Sequence, residues 1–152
     1  MHLRVIAVGT RMPQWVQTAF EEYTRRLRIW LPLELHELPV SARKGAEGKA
    51  DEGRKMLALL AENEFAVPLD ERGSEPTTLE LAHWLEARRA AGVDLSFLIG
   101  GADGLSAAVL ARGQYRWSLS RLTLPHALVR VLLAEQLYRA SSILAGHPYH
   151  RR

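Results

Sequence analysis

Short apolar runs alternate with longer amphipathic segments along almost the whole chain. Leu3–Val8 is a β-branched run that ends at Gly9, and Leu33–Leu38 alternates apolar with polar residues. Both patterns are typical of β-strands. The predicted strands are Leu3–Val8, Leu33–Leu38, Phe65–Leu69, Asp94–Ile99 and Tyr115–Leu119. Because helical patterns separate them, we expect one α/β domain over residues 1–152, with a parallel sheet of about five strands covered on both faces.

The helices are predicted from apolar spacing and from capping residues. They cover about 13–29, 51–61, 77–90, 106–113 and 125–144, with Thr77 or Thr78 and Ser106 as N-caps and Gly146 as the last stop. Two connections are expected to be irregular. Residues 41–50 hold two glycines and three Lys or Arg residues and are interpreted as a flexible basic loop, and 70–76 as turns.

Several functional classes are disfavoured by what the sequence lacks. With no cysteine, there is no disulfide, thiolate nucleophile or cysteine-ligated metal, and the histidine spacing favours no metal site. No run of about 18 apolar residues would span a membrane. The amino terminus does not resemble a signal peptide. We therefore expect a cytoplasmic protein without a membrane or metal partner.

Charge is distributed unevenly along the chain. Residues 51–110 hold 5 Lys and Arg against 11 Asp and Glu, whereas residues 111–152 hold 7 arginines against one acid. An arginine-rich end favours an anionic partner such as nucleic acid. A GC-rich genome would equally explain arginine in place of lysine, but it does not explain the scarcity of acids after residue 110.

Three segments rich in glycine or small polar residues follow predicted strands, where ligands bind in open α/β sheets. They are 69–73, 99–104 and 119–126. The glycine segment is neither a dinucleotide fingerprint nor a P-loop, and there is no G-x-S-x-G elbow. Taken alone, it is equally typical of a plain strand-to-helix turn.

The combination and order of these segments identify a protein family far more specifically than any one segment does. Ile99–Leu105, Trp117–Ser120, Leu122–His126, Leu128–Ala140 and His147–Arg151, together with Val8–Val16 and Leu69-Asp70, resemble the small SPOUT-class RNA methyltransferases of the RlmH type. The resemblance covers essentially the whole chain. One departure is Ala102-Asp103, where the family commonly has Pro-Glu, so the acid is one methylene shorter here.

The resemblance implies a fold, a cofactor and a substrate. The fold would be an α/β knot, a parallel sheet whose carboxyl-terminal part threads a deep trefoil knot. The cofactor would be S-adenosylmethionine, and the active form a homodimer in which the tail of one subunit meets the cofactor pocket of the other. The reaction would methylate N3 of a pseudouridine in large-subunit ribosomal RNA, and we expect the assembled ribosome to be the substrate.

Site residues follow from the same resemblance, position by position. The cofactor-binding residues would be Leu69, Gly100, Leu119, Ser120, Arg121, Leu122, Thr123 and Leu124. Gly100 would let the cofactor approach the backbone closely. The catalytic candidates are Tyr149, His150, His126 and Arg139, with the first two favoured, and the RNA-binding candidates are Arg130 and Arg151.

Each of these assignments has a plainer alternative. The tail after Gly146 could be a solvated terminus, His126 a silent helix residue, and Arg139 a partner of Glu135 four residues earlier. Arg130 could contact the partner subunit instead of phosphate. At the level of function, the alternatives are a non-catalytic ribosome- or RNA-binding protein and an α/β enzyme that uses a nucleotide. Tight binding of S-adenosylmethionine would separate the methyltransferase from both.

Overall fold

Four parallel strands form the sheet of the computed structural model, which describes residues 1–151. The strands are β1 (Leu3–Val8), β2 (Leu33–Leu38), β3 (Phe65–Ser74) and β4 (Leu95–Ile99), in the order β2-β1-β4-β3. The helices are α1 (Gln14–Leu27), α2 (Gly45–Ala58), α3 (Thr78–Ala90), α4 (Ala107–Arg112) and α5 (His126–Leu144). Because the strands are parallel, all of their carboxyl ends lie at one edge of the sheet.

Helices cover both faces of the sheet, as the sequence predicts. On one face, Val5 and Phe97 belong to a large apolar cluster that includes residues of α1, α3 and α5. On the other face, Ile6 and Leu98 pack with Met56 of α2 and with residues of α4. Every residue of β4 is buried, whereas the edge strand β2 is largely exposed. The central strands β1 and β4 therefore hold the two apolar layers together.

The predicted fifth strand is wrong. Trp117 forms only isolated bridges, to Leu69 and to Ser74, and no extended ladder follows. The Ser74 N–H donates to the Arg116 carbonyl at 2.9 Å, and the Ser118 N–H donates to the Ser74 carbonyl at 2.8 Å. The turn assigned to 70–76 is wrong for the same reason, because these bonds keep β3 extended as far as Ser74.

The flexible loop predicted at 41–50 is also wrong, since α2 begins at Gly45. A Cβ atom at Gly48 would lie 2.4 Å from the Arg43 carbonyl oxygen, so this glycine allows the helix to pack closely against the segment that precedes it. The predicted caps are confirmed: Thr77 forms a capping box with Glu80, and Ser106 accepts a hydrogen bond from the Val109 N–H. Arg152 lies outside the described residues. No helix within 1–151 has the length and apolar character needed to cross a membrane.

Candidate functional site

A cavity of about 460 Å³ lies at the carboxyl edge of the sheet. Its walls come from residues 69–72 within β3, from the end of β4 and the turn that follows it, from the chain before α5 and from the first turn of α5. Seven of the eight predicted cofactor residues line it: Leu69, Gly100, Leu119, Ser120, Leu122, Thr123 and Leu124. The structure thus brings together three segments that are far apart in sequence.

Arg121 is the exception among the eight. Its guanidinium pairs with Glu75 at 3.1 Å, and its side chain is 87% exposed. Only the backbone of Arg121 continues the segment that walls the cavity, so the side chain does not contribute to the lining.

Hydrogen bonds hold the segment from Leu119 to Leu124 in place. The Ser118 hydroxyl donates to the Ser120 carbonyl at 2.8 Å, and the Leu122 N–H donates to the Ser120 hydroxyl oxygen at 2.9 Å. The Thr123 hydroxyl donates to the Glu71 carboxylate at 3.0 Å, across the cavity wall to the end of β3. The segment is therefore preorganised by its own small polar side chains.

The glycine turn after β4 closes on itself. The Gly104 N–H donates to the Gly101 carbonyl at 3.0 Å, and Gly104 has a φ of +78°, which favours glycine. A Cβ atom at Gly100 would lie 2.5 Å from the Gly104 carbonyl carbon. The reason we gave for Gly100 therefore needs correction, because its missing side chain makes room for the turn's own backbone rather than for a ligand.

Acidic side chains lie on the β3 side of the cavity. Asp70, Glu71 and Asp103 are among its lining residues. Burial of the Asp70 carboxyl opposes ionisation, but hydrogen bonds from the Arg72 side chain and backbone N–H outweigh it and lower the pKa of Asp70. Asp70 is therefore ionised, and its charge is paired with that of Arg72, which also lines the cavity.

His126, a predicted catalytic residue, lies at the cavity. It is the first residue of α5, and its ring lies beside Gly9 at the end of β1. Its Nδ1 atom is buried and has no hydrogen-bond partner within residues 1–151. Buried polar atoms are normally satisfied, so an unpartnered nitrogen beside the cavity is unusual.

Arg130 is buried one helical turn further along α5. Its side chain pairs with Glu37 of β2 and donates to the Gly9 carbonyl at 2.7 Å, and the residue is only 1% exposed. This position gives no support to the predicted contact with RNA phosphate, because the guanidinium is enclosed by protein. Arg151 is exposed at the surface.

The predicted catalytic residues of the tail lie far from this cavity. The Tyr149 ring packs edge-on against Tyr138 at 4.4 Å and lies under the Arg139 guanidinium at 4.7 Å. Its hydroxyl donates to Glu135 at 3.2 Å. Glu135 and Arg139 follow His126 by nine and thirteen positions, which is roughly 14–20 Å along a helix at about 1.5 Å per residue.

The chemistry of the tail residues also changes in this position. Burial, together with the Glu135 carboxylate, raises the pKa of Tyr149 to about 12. Arg139 pairs with Glu135 at 2.6 Å, as in the plainer alternative, and the Nδ1 atom of His150 is buried without a partner in the described part of the chain. The tail is folded onto α5 rather than free, so its description as a loose terminus does not hold.

Sequence reasoning missed several lining residues. Lys49 lines the cavity from α2, but it lay in the segment interpreted as a flexible loop. Trp117 was assigned to a strand instead of the wall it forms. The helical spacing from Lys49 to Met56 would have predicted that α2 includes Lys49. No local sequence signal places Trp117 at the cavity wall.

Comparison with known proteins identifies the class. A family model described as "Predicted SPOUT methyltransferase" matches residues 1–150. The chain therefore belongs to the SPOUT methyltransferase family. At 92% coverage of this chain and 58% of the other, the fold is similar to the SpoU methyltransferase AviRb from Streptomyces viridochromogenes, solved in complex with AdoMet (TM-score 0.50, 14% identity). This likeness supports the fold assignment.

Relatives of nearly equal length narrow the comparison further. Proteins named ribosomal RNA large subunit methyltransferase H are 48% identical in Xanthomonas axonopodis pv. citri and Hahella chejuensis, and 42% identical in Hydrogenovibrio crunogenus. Each match covers 99% of this chain and 99% of the relative.

Proposed function

We propose that this protein transfers a methyl group from S-adenosylmethionine to large-subunit ribosomal RNA. The observation that carries the proposal is the convergence of seven predicted cofactor residues on one cavity, in a chain that matches large-subunit rRNA methyltransferases over its full length. The alternative of a non-catalytic RNA-binding protein does not account for a cavity built at the family's cofactor positions.

The cavity fits the proposed cofactor in size and in chemistry. Its volume lies within the roughly 300–1,000 Å³ range of small-molecule sites. Leu69, Leu119 and Leu124 offer apolar surface for an adenine ring, and the ionised Asp70 offers charge complementary to a cationic ligand. S-adenosylmethionine would supply an electrophilic methyl group bonded to its sulfonium sulfur.

We assign cofactor binding to Leu69, Gly100, and the segment from Leu119 to Leu124, with Arg121 contributing through its backbone only. The main role of the chain is to align the reacting groups in a preorganised site. The hydrogen bond between Thr123 and Glu71 and the closed turn at Gly100 supply that rigidity.

At a finer level, we propose N3 of a pseudouridine in the assembled ribosome as the acceptor. The N3 proton must leave before the nitrogen lone pair can attack, so a general base or an anion-stabilising group is needed. Tyr149 holds its own proton too tightly for this role, since its pKa is raised to about 12. Among the predicted residues, His150 and His126 are the remaining candidates for the base, and Arg139 for stabilising the anion.

We also propose that the active form is a homodimer. The tail residues Tyr149 and His150 cannot reach the cavity of their own chain, because the tail packs at the far end of α5 from His126. A second copy would bring a tail to each cavity and would cover Leu122, whose side chain is 72% exposed at the cavity rim.

The remaining assignments complete the proposal. We propose a single domain and cytoplasmic action on ribosomes. We also propose that the carboxyl-terminal part threads the knot of its family. The bridges of Trp117 to both Leu69 and Ser74 place the segment that leads to α5 against β3.

The decisive experiment measures methyl transfer from isotope-labelled S-adenosylmethionine into purified ribosomes and into protein-free ribosomal RNA. We expect label in large-subunit RNA of the ribosomes, at a position mapped to N3 of one pseudouridine. Equal transfer to protein-free RNA would contradict the ribosome requirement. Cofactor binding without transfer to either substrate would contradict the enzymatic function.

A further inference from the structure

Unpaired positive charge gathers beside the cavity on the β1 and β2 side. Arg11 follows β1, Arg43 and Lys44 follow β2, and Lys49 lies in the second turn of α2. None of the four forms an ion pair within residues 1–151, whereas nine other arginines do. Arg11, Arg43 and Lys44 are exposed, and Lys49 lines the cavity.

The positions of Arg43 and Lys44 are fixed by the segment that carries them. The Ser41 N–H donates to Glu52 at 2.9 Å, and the Ser41 hydroxyl donates to Asp51 at 2.9 Å, so the segment is tied to α2. The close approach of Gly48 to the Arg43 carbonyl adds a second attachment. Two exposed cations are thus presented from a rigid support rather than from a mobile loop.

This support lies next to the glycine turn that walls the cavity. A Cβ atom at Gly101 would lie 3.7 Å from the Glu52 carboxylate and 3.2 Å from the Val8 side chain at the end of β1. The start of α2, the end of β1 and the glycine turn therefore meet at one place. A ligand that reaches the cavity over this side passes the four cations.

The cavity mouth carries both signs of charge. Asp70 and Glu71 of β3 and Asp103 of the glycine turn are acidic lining residues, with Asp70 paired to Arg72, whereas the unpaired cations lie on the β1 and β2 side. The exposed Glu47 is an acid among the cations, and it lies in the first turn of α2, where the helix dipole favours a negative charge. The net charge of the basic side remains positive.

We propose that Arg11, Arg43 and Lys44, the basic rim, bind backbone phosphates of the substrate RNA as it enters the cavity, with Lys49 closest to the inserted nucleotide. This inference rests on the proposed function and adds the direction from which the RNA approaches. Arginine and lysine contacts to phosphate fix the register of a nucleic acid without reading its sequence. The rim thus positions the RNA, and the cavity selects the nucleotide.

The test compares two double variants with the same change in charge. Arg43→Gln with Lys44→Gln removes two cations of the rim. Arg28→Gln with Arg89→Gln is the matched control, because both residues are exposed and lie at the opposite edge of the sheet, before β2 and β4. Binding of a fluorescein-labelled fragment of large-subunit rRNA is measured by anisotropy across a range of KCl concentrations.

We expect the rim variant to bind the RNA more weakly and to lower the slope of log K against log salt by about 1.4–1.8, which corresponds to two lost phosphate contacts. The control variant should keep the slope of the unaltered protein. Equal slopes for the two variants would overturn the proposal. Absence of salt-dependent binding by the unaltered protein, or equally strong competition by polyglutamate, would overturn it as well.

A second measurement separates this proposal from the proposed function. In methyl transfer to ribosomes, the rim variant should raise KM severalfold with kcat largely retained, and calorimetry should show unchanged affinity for S-adenosylmethionine. If the unaltered protein transfers no methyl group but the slopes still differ, the proposed function fails and the rim stands. If the unaltered protein transfers methyl groups and the rim and control variants have the same KM, the proposed role of the basic rim is contradicted and the proposed function stands.

Discussion

The guanidinium of Arg130 donates a 2.7 Å hydrogen bond to the carbonyl oxygen of Gly9, which joins the start of α5 to the end of β1. The same guanidinium pairs with Glu37 of β2. His126 lies one turn earlier on α5 and lines the cavity. A buried cation therefore sets the position of the helix that closes the site, in place of the RNA contact expected for it.

Arg130→Met should destabilise the protein by about 3 kcal/mol, the low end for loss of one partner from a buried ion pair. The low end applies because Glu37 is 32% exposed and can be hydrated. Urea unfolding at fixed protein concentration measures the change. Arg121→Met is the control, and its exposed pair with Glu75 should contribute no more than about 1 kcal/mol. Equal stability of the two variants would contradict the buried clamp.

Local pattern was enough to predict most of the fold. The bounds of Leu3–Val8 and Leu33–Leu38 are confirmed residue for residue. The apolar run of the first strand is buried as predicted, whereas burial in the second does not follow its alternation, because Leu35 is exposed. The predicted strand at 115–119 carried the same apolar signal, but only Trp117 pairs with β3, through isolated bridges without a ladder. Whether such a segment joins the sheet depends on its position in the folded chain. The local sequence pattern holds no information on that position.

The candidate site, too, was only partly predictable from the sequence. The cavity positions from Leu119 to Leu124 were predictable because strand ends and family motifs coincide there. The burial of Arg130 was not, since its partner Glu37 is 93 residues away in sequence. A lone arginine on a helix is equally compatible with a surface and with a clamp, and only the packing of β2 beside α5 decides between them.

Gly100→Ala should disrupt the glycine turn and with it the cofactor site. The new methyl group would lie 2.5 Å from the Gly104 backbone, closer than real Cβ atoms approach, so the turn must move. We expect cofactor affinity to fall by at least tenfold, as measured by calorimetry, together with a loss of stability.

Gly101→Ala provides the comparison for that variant. Its Cβ atom would meet the Val8 side chain at 3.2 Å, a contact that a small side-chain shift relieves. Cofactor affinity should therefore stay within a few-fold of the unaltered protein. Similar affinities for the Gly100 and Gly101 variants would show that the turn tolerates movement and that its closure does not shape the site.

His126→Ala should weaken S-adenosylmethionine binding about tenfold while leaving the helix folded. The reason is the unpartnered Nδ1 atom at the cavity wall, since one hydrogen bond contributes about 0.5–1.5 kcal/mol. Calorimetry measures the affinity, and circular dichroism checks α5. His83→Ala serves as the control, because His83 is exposed on α3 away from the cavity. An unchanged affinity would return His126 to the role of a silent helix residue.

The contribution of Tyr149 to stability should change with pH only above about pH 10. The hydroxyl donates to Glu135 and its pKa is raised to about 12 from an ordinary value of 10.0, so the folded state favours the protonated form. The stabilisation is fully present below pH 10 and is lost as the pH rises from about 10 to 12. Tyr149→Phe should flatten the stability curve in this window, as followed by thermal unfolding. If Tyr149→Phe had the same dependence of stability on pH as the unaltered protein, the assignment of a buried Tyr149 hydroxyl would be contradicted.

The raised pKa of Tyr149 also distinguishes the catalytic roles that Tyr149 and His150 can have. A tyrosine that remains protonated cannot accept the N3 proton at neutral pH, whereas histidine side chains ordinarily titrate between about pH 5 and 8. Tyr149→Phe should therefore keep the shape of the pH–rate profile for methyl transfer. His150→Ala should lower kcat by at least roughly a hundredfold, the low end for positioned proton transfer.

Cofactor affinity must be measured alongside, because a tail that only packs on α5 would change stability without changing the profile. Both variants should bind S-adenosylmethionine normally, since Tyr149 and His150 lie outside the cavity of their own chain. If His150→Ala keeps kcat and His126→Ala lowers it at saturating cofactor, the proton passes to His126. The tail would then act through packing against Tyr138 and Glu135 alone.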